Sequence, residues 1–293
     1  MAGGSRVSRL FAFGLGFSAQ ALGKRLAADG WKIAGTARDE SKIAQLAEQG
    51  FAATRFAGGK ANADLPPLLA GATHLLHSIP PGPDGDPVLN AYRDEIAKLG
   101  TLEWIGYLST VGVYGDQHGN WVDETTEPKP NSDRTEARVV AEQAWLDFGA
   151  EIGVPVQVFR LAGIYGPGRS VFDKIAAGTA RRINKDGQVF SRIHVEDIAS
   201  VLEASMARPR AGAIYNVADD EPAAPGDVVA YAAEMMGVAP PPEVDFEDAD
   251  LSPMARSFYE GSRRIGNALI KAELGVELRY PTYREGLVSL LDS

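Results

Sequence analysis

A doubly wound α/β fold with a parallel sheet is predicted for this 293-residue chain. Three observations predict it. Extended apolar runs alternate with helix-period segments from Val7 to Leu161, the first run breaks at Gly14 and Gly16 straight into a helix pattern, and Gly or Pro punctuates nearly every junction. Strictly alternating strands and helices imply right-handed crossovers, so the strands run parallel with helices on both faces.

The elements follow in order. Residues 7–13 read as the first strand, 19–28 as a helix with Leu22 and Leu26 at helical spacing, and 31–36 as a second strand after Gly30. A helix over 41–49 groups Ile43, Leu46 and Ala47, Gly50 closes it, and 51–56 is the third strand. Residues 73–79 form the fourth, followed at once by Pro80-Pro81-Gly82-Pro83, a loop at the carboxyl end of the sheet where such folds meet their ligands. A helix over 86–99, a strand over 102–109, a helix from the cap-like Ser132 to about Phe148, and a strand over 154–161 complete the alternation.

Beyond residue 165 the alternation stops and Pro and Gly become frequent. This predicts a core domain over 1–165 and a smaller C-terminal substrate lobe over 166–293, with about 188–218 returning to the main sheet through the strand-like 213–218. The acidic stretch 243–250 reads as a solvated loop.

Composition narrows the function. At 45% hydrophobic and 23% charged residues the chain is an ordinary globular protein, and its net charge of -10 argues against nucleic acid or an anionic membrane surface as partner. The absence of cysteine excludes disulfides, thiol catalysis and Cys-ligated zinc, and is compatible with a cytoplasmic setting. Arg6 and Arg9 ahead of an apolar run superficially suggest a secretory signal, but the glycine turn interrupts that run and no stretch is long enough to span a membrane. His74, His77, His118 and His194 lack metal-ligand spacing, so no metal is expected.

Gly14-Leu15-Gly16-Phe17-Ser18-Ala19 has the form G-x-G-x-x-A. Its glycines permit a tight turn whose backbone N–H groups approach a pyrophosphate, and Ala19 lets the helix sit close to the strand. Gly14, Gly16, Phe17 and Ala19 are therefore candidate cofactor contacts. At the end of the second strand an NAD-specific site places an acid for the ribose 2′-OH, whereas this chain has Gly35-Thr36-Ala37-Arg38. The Arg38 guanidinium suits a 2′-phosphate, which favours NADP and leaves NAD as the alternative; the other reading is a surface arginine at a helix start, and Asp39 weighs against the phosphate.

Four ordered segments then carry a resemblance. Tyr107–Gly115 (YLSTVGVYG) resembles the "SSxxVYG" segment of the extended short-chain dehydrogenases/reductases of the NAD-dependent epimerase/dehydratase family. Arg160–Gly168 (RLAGIYGPG) resembles that family's "RxxxxYGPG", Ile193–Ala199 its "HVxDxA", and Tyr215–Val217 its "YNV". The resemblance implies a Rossmann fold, a nicotinamide cofactor contacted by Pro80 and Ser109 as well as the glycine turn, hydride chemistry on a small or sugar-nucleotide-like substrate, and a possible homodimer. The dimer would form through the stripe Ala137, Val140, Ala144, Trp145 and Phe148 with Val88, Tyr92 and Ile96, unless those residues face the sheet.

The same resemblance exposes a departure. Counting back from Ala141-Glu142, the family's Tyr and Lys fall on Arg134 and Arg138. A guanidinium stays protonated and cannot serve as the base, so the chain resembles the atypical members of the family. Thr110 keeps the third catalytic position, and Tyr165 is the remaining candidate proton donor, with core packing as the other reading. Arg134 and Arg138, one helical turn apart, and His194 are candidate substrate contacts. Two functions stand: an NAD(P)-dependent oxidoreductase or epimerase-like enzyme, or a non-catalytic nucleotide-binding or redox-sensing module.

Overall fold

Runs of apolar residues with no polar side become strands covered on both faces, and they occupy the middle of the sheet. In the computed structural model, which describes residues 7–291, the sheet strands are β1 (Arg9–Phe13), β2 (Lys32–Ala37), β3 (Ala52–Arg55), β4 (His74–His77), β5 (Trp104–Thr110), β6 (Val156–Leu161) and β7 (Ala213–Val217). Their order is β7-β6-β5-β4-β1-β2-β3. β1 runs parallel to β2 and β4, β2 to β3, and β4 to β5. The chain reverses direction of travel across the sheet beside β1, which puts the carboxyl ends of β1 and β4 at the topological switch point.

The crossovers are α1 (Phe17–Ala28), α2 (Glu40–Glu48), α3 (Leu65–Leu69), α4 (Pro87–Ala97) and α5 (Asp133–Ile152). Leu22 and Leu26 of α1 are buried as their spacing predicts. Ser132 caps α5 by accepting from the Thr135 N–H, and Gly153 in the left-handed region ends it four residues beyond the expected stop. The apolar stripe of α4 and α5 is core: Val88, Tyr92, Ile96, Trp145 and Phe148 are fully buried and pack with Phe11, Phe13, Tyr107 and Val158. Of that stripe only Val140 is well exposed.

Two compact units result. The first comprises residues up to 110, 132–160 and 198–215; the second comprises 111–131, 161–197 and 216 onward. The second unit is built on short parallel pairs: Gly163–Tyr165 with Arg192–His194, Trp121–Val122 with Arg264–Ile265, and Arg182–Asn184 with Glu243–Asp245. That last pair corrects the reading of 243–250 as a solvated loop. Glu243 forms an ion pair with Arg182 at 3.1 Å and Asp245 accepts from Asn184 at 3.2 Å, so these two acids are strand residues with cross-strand partners, while Glu247, Asp248 and Asp250 lie exposed beyond the strand. No helix among the described residues is long and apolar enough to cross a membrane.

Candidate functional site

The turn from β1 into α1 is latched to both neighbouring strands. Gly14, at φ +86°, donates its N–H to the Thr36 hydroxyl at 2.8 Å, Leu15 N–H reaches the Thr36 carbonyl at 2.8 Å, and Ser78 donates to the Gly14 carbonyl at 2.7 Å. A Cβ on Gly14 would lie 2.6 Å from the Ser78 hydroxyl, and one on Gly35 only 2.2 Å from the Ala12 carbonyl oxygen. Close approach therefore requires glycine at both positions, and the positive φ of Gly14 adds a backbone reason there. α1 starts immediately after Gly16 with no side-chain cap and no acid in its first turn. Its amide-rich, dipole-positive end is thus open to an anion, with Phe17 and the buried Ala19 in the first turn.

At the end of β2 the polar groups divide their work. Thr36 is fully buried because its hydroxyl serves the turn, so Arg38 and Asp39 are the first exposed side chains past the strand. Asp39 caps α2, its Oδ1 accepting from the Ser41 hydroxyl at 2.7 Å and the Lys42 N–H at 2.9 Å; the Ser41 bond is the main reason its pKa is lowered. Pro80 is exposed just past Ser78.

The end of β5 is tied to α5 by a buried network. Ser109 donates to Glu142 at 2.5 Å, and Glu142 is bridged by Arg160 at 2.7 Å, with each side chain of the ion pair 4% exposed. The Ser109 hydroxyl is thereby committed inside the protein. Arg138 donates to the Leu108 carbonyl at 2.8 Å and to the Tyr107 hydroxyl at 3.4 Å, with its guanidinium carbon 5.9 Å from the Tyr107 ring centre. Burial pushes the Tyr107 phenol up despite that cation. Arg134, on the same helix face, is exposed, and Thr110 is half-buried as the last residue of β5. Sequence reasoning missed the neighbouring buried pair of His77 and Asp86 at 2.7 Å. Asp86 also caps α4 through the Val88 and Leu89 amides at 3.0 Å, so the loop after β4 is pinned at both ends.

In the second unit, Tyr165 and His194 sit on paired strands with ring centres 5.2 Å apart and nearly perpendicular. Both are buried, at 8% and 1% exposure. His194 Nδ1 accepts from the Glu196 N–H at 3.2 Å, and burial, aided by the charge of Arg279, pulls its pKa down to about 4, so the ring is neutral at neutral pH. The Tyr165 hydroxyl has no hydrogen-bond partner among the described residues, and burial raises its pKa. Asp197 binds the Arg279 and Tyr280 amides at 2.7 and 3.1 Å, and Tyr114 donates to Asn216 at 2.8 Å. These motif residues staple the unit together.

Strand order, the latched glycine turn and the uncapped first helix define a Rossmann-type α/β protein. Residues 94–218 match the model of the NAD dependent epimerase/dehydratase family. A conserved protein of unknown function from Silicibacter pomeroyi is 52% identical, with a TM-score of 0.87 over 97% of this chain and 98% of that one. Protein YeeZ of Escherichia coli (strain K12) is 29% identical over 92% of this chain and 94% of its own length. UDP-glucuronic acid 4-epimerase from Bacillus cereus, solved with NAD, shares the fold at 16% identity and a TM-score of 0.75, covering 97% of each chain.

Proposed function

We propose that the chain binds a nicotinamide dinucleotide at the Gly14–Ala19 turn, with NADP(H) preferred over NAD(H), and that it handles a small-molecule, sugar-nucleotide-like substrate without the family's Tyr–Lys mechanism. The observation that carries this reading is the turn itself, latched by Thr36 and Ser78 and followed by an uncapped helix terminus. The residues fit the group: Gly14 and Gly16 leave room beside the backbone, the α1 amides would bind the pyrophosphate, and Arg38, exposed just past β2, would bind a 2′-phosphate. When bound, the cofactor supplies the hydride-accepting or hydride-donating ring.

Arg38 supports the NADP preference because no acid precedes it on β2 and Asp39 is engaged at the α2 cap. Calorimetric titration is expected to show NADPH binding more tightly than NADH by about 1–3 kcal/mol. Equal affinities, or an NADH preference unchanged by Arg38→Ala, would overturn it.

A specific observation also favours a binding or sensing role over turnover. Arg138 spends donors on the Leu108 carbonyl and Tyr107, and the Arg134 guanidinium offers only donors and no site to accept a proton. Stopped-flow mixing with sugar nucleotides is expected to show absent or very slow hydride transfer, with Arg134→Ala nearly the same as the native protein. A fast native rate that collapses in Arg134→Ala would establish a chemical role for that guanidinium and rule out the sensor.

A further inference from the structure

We propose that Arg55 is the second arm of a two-guanidinium clamp, acting with Arg38 on the 2′-phosphate of the bound dinucleotide; this rests on the NADP reading above. β2 and β3 pair so that Ala37 lies opposite Arg55. From there Arg55 Nε donates to the Arg38 carbonyl at 3.2 Å. That bond holds the Arg55 guanidinium against the backbone of Arg38 itself.

Charge argues for an anion at this corner. Both arginines are exposed, and among the described residues neither has a carboxylate within ion-pair distance, although exposed arginines elsewhere do: Arg93 pairs with Glu151 and Arg284 with Glu221. Lys42, in the first turn of α2, instead donates to the Gln20 side-chain Oε1 of α1 at 3.4 Å. Two guanidinium-bearing residues thus meet at neighbouring strand ends in a chain whose net charge is -10. Like charges brought to one strand end repel each other until an anion joins them.

The donor geometry selects the anion. Of the Arg55 nitrogens only Nε is bonded to a protein acceptor among the described residues, and the Arg38 side chain makes no hydrogen bond to them. Each therefore presents a planar edge of N–H donors, and two such edges match the several oxygens of a phosphate monoester better than a neutral ribose hydroxyl. Asp39 does not compete strongly for them, since its Oδ1 is held by Ser41 and the Lys42 amide.

The test is titration of the full chain with NADPH, NADH and adenosine 2′,5′-bisphosphate, for the native protein, Arg55→Ala, Arg55→Lys and Arg38→Ala. Arg55→Ala is expected to weaken NADPH and the bisphosphate on the order of tenfold while changing NADH less than about twofold, and Arg55→Lys to recover part of the loss. Because Arg55 is an exposed edge residue, the thermal midpoint without ligand should stay within about 2 °C of native. If Arg38→Ala abolishes the NADPH preference while Arg55→Ala leaves it intact, the second arm is wrong and the cofactor reading stands. If the native chain shows no NADPH preference at all, both fall together.

Discussion

Glu142→Gln is expected to destabilise the protein by about 3–5 kcal/mol, because it removes a carboxylate that neutralises a buried guanidinium at 2.7 Å. The substitution keeps the size of the side chain, so the loss is electrostatic rather than a cavity effect. Ser109→Ala, which deletes one 2.5 Å hydrogen bond to the same carboxylate, should cost less, about 1–3 kcal/mol. Replacing both members of the ion pair by apolar residues of similar volume should recover much of the loss, since two buried charges are then no longer desolvated. Urea denaturation of the three variants decides the matter. A Glu142→Gln protein within about 1 kcal/mol of native would mean that solvent or another group reaches Arg160 on mutation.

Gly35→Ala should lower stability by about 1–3 kcal/mol or more and also abolish tight nucleotide binding. The added methyl meets the Ala12 carbonyl oxygen at 2.2 Å and Leu15 Cγ at 2.8 Å, and neither the backbone of β1 nor the buried Leu15 can retreat without moving the turn. Gly100→Ala is the control, as its new methyl meets nothing within 4 Å. If the Gly35 variant proves too unstable to titrate, Thr36→Val removes only the hydroxyl that accepts the Gly14 N–H and isolates the latch from the packing. Native affinity for NADPH in both variants would show that the latch does not shape the binding turn.

The sheet was legible because its strands are apolar runs long enough to show no competing period, and because glycines mark the helix ends. Boundaries moved by a residue or two, as at Arg9–Phe13 against 7–13. The second unit was far less legible. Its strands are two or three residues long and pair across separations of about 30 to 140 positions, so neither periodicity nor local turn chemistry reveals them. At the candidate site, the tight turn at Gly14 could be read from type and spacing alone. The commitment of Ser109 to Glu142, the His77–Asp86 pair and the placement of Arg55 beside Arg38 could not, since each depends on which distant side chain the fold brings near. Tyr165 and His194 show the converse: motif position suggested chemistry, and burial shows two groups packed inside the second unit.

The bond from Arg138 to the Leu108 carbonyl sets what a substitution at that position costs. One nitrogen of its fork holds the backbone at the end of β5 and also reaches Tyr107, while the rest of the guanidinium lies over the tyrosine ring. A lysine there has a compact ammonium and no planar fork to divide among those partners. An Arg138→Lys change therefore loosens the strand end that carries Ser109 and Thr110, so tolerance to mutation at residue 138 is governed by the backbone of β5 as much as by any ligand.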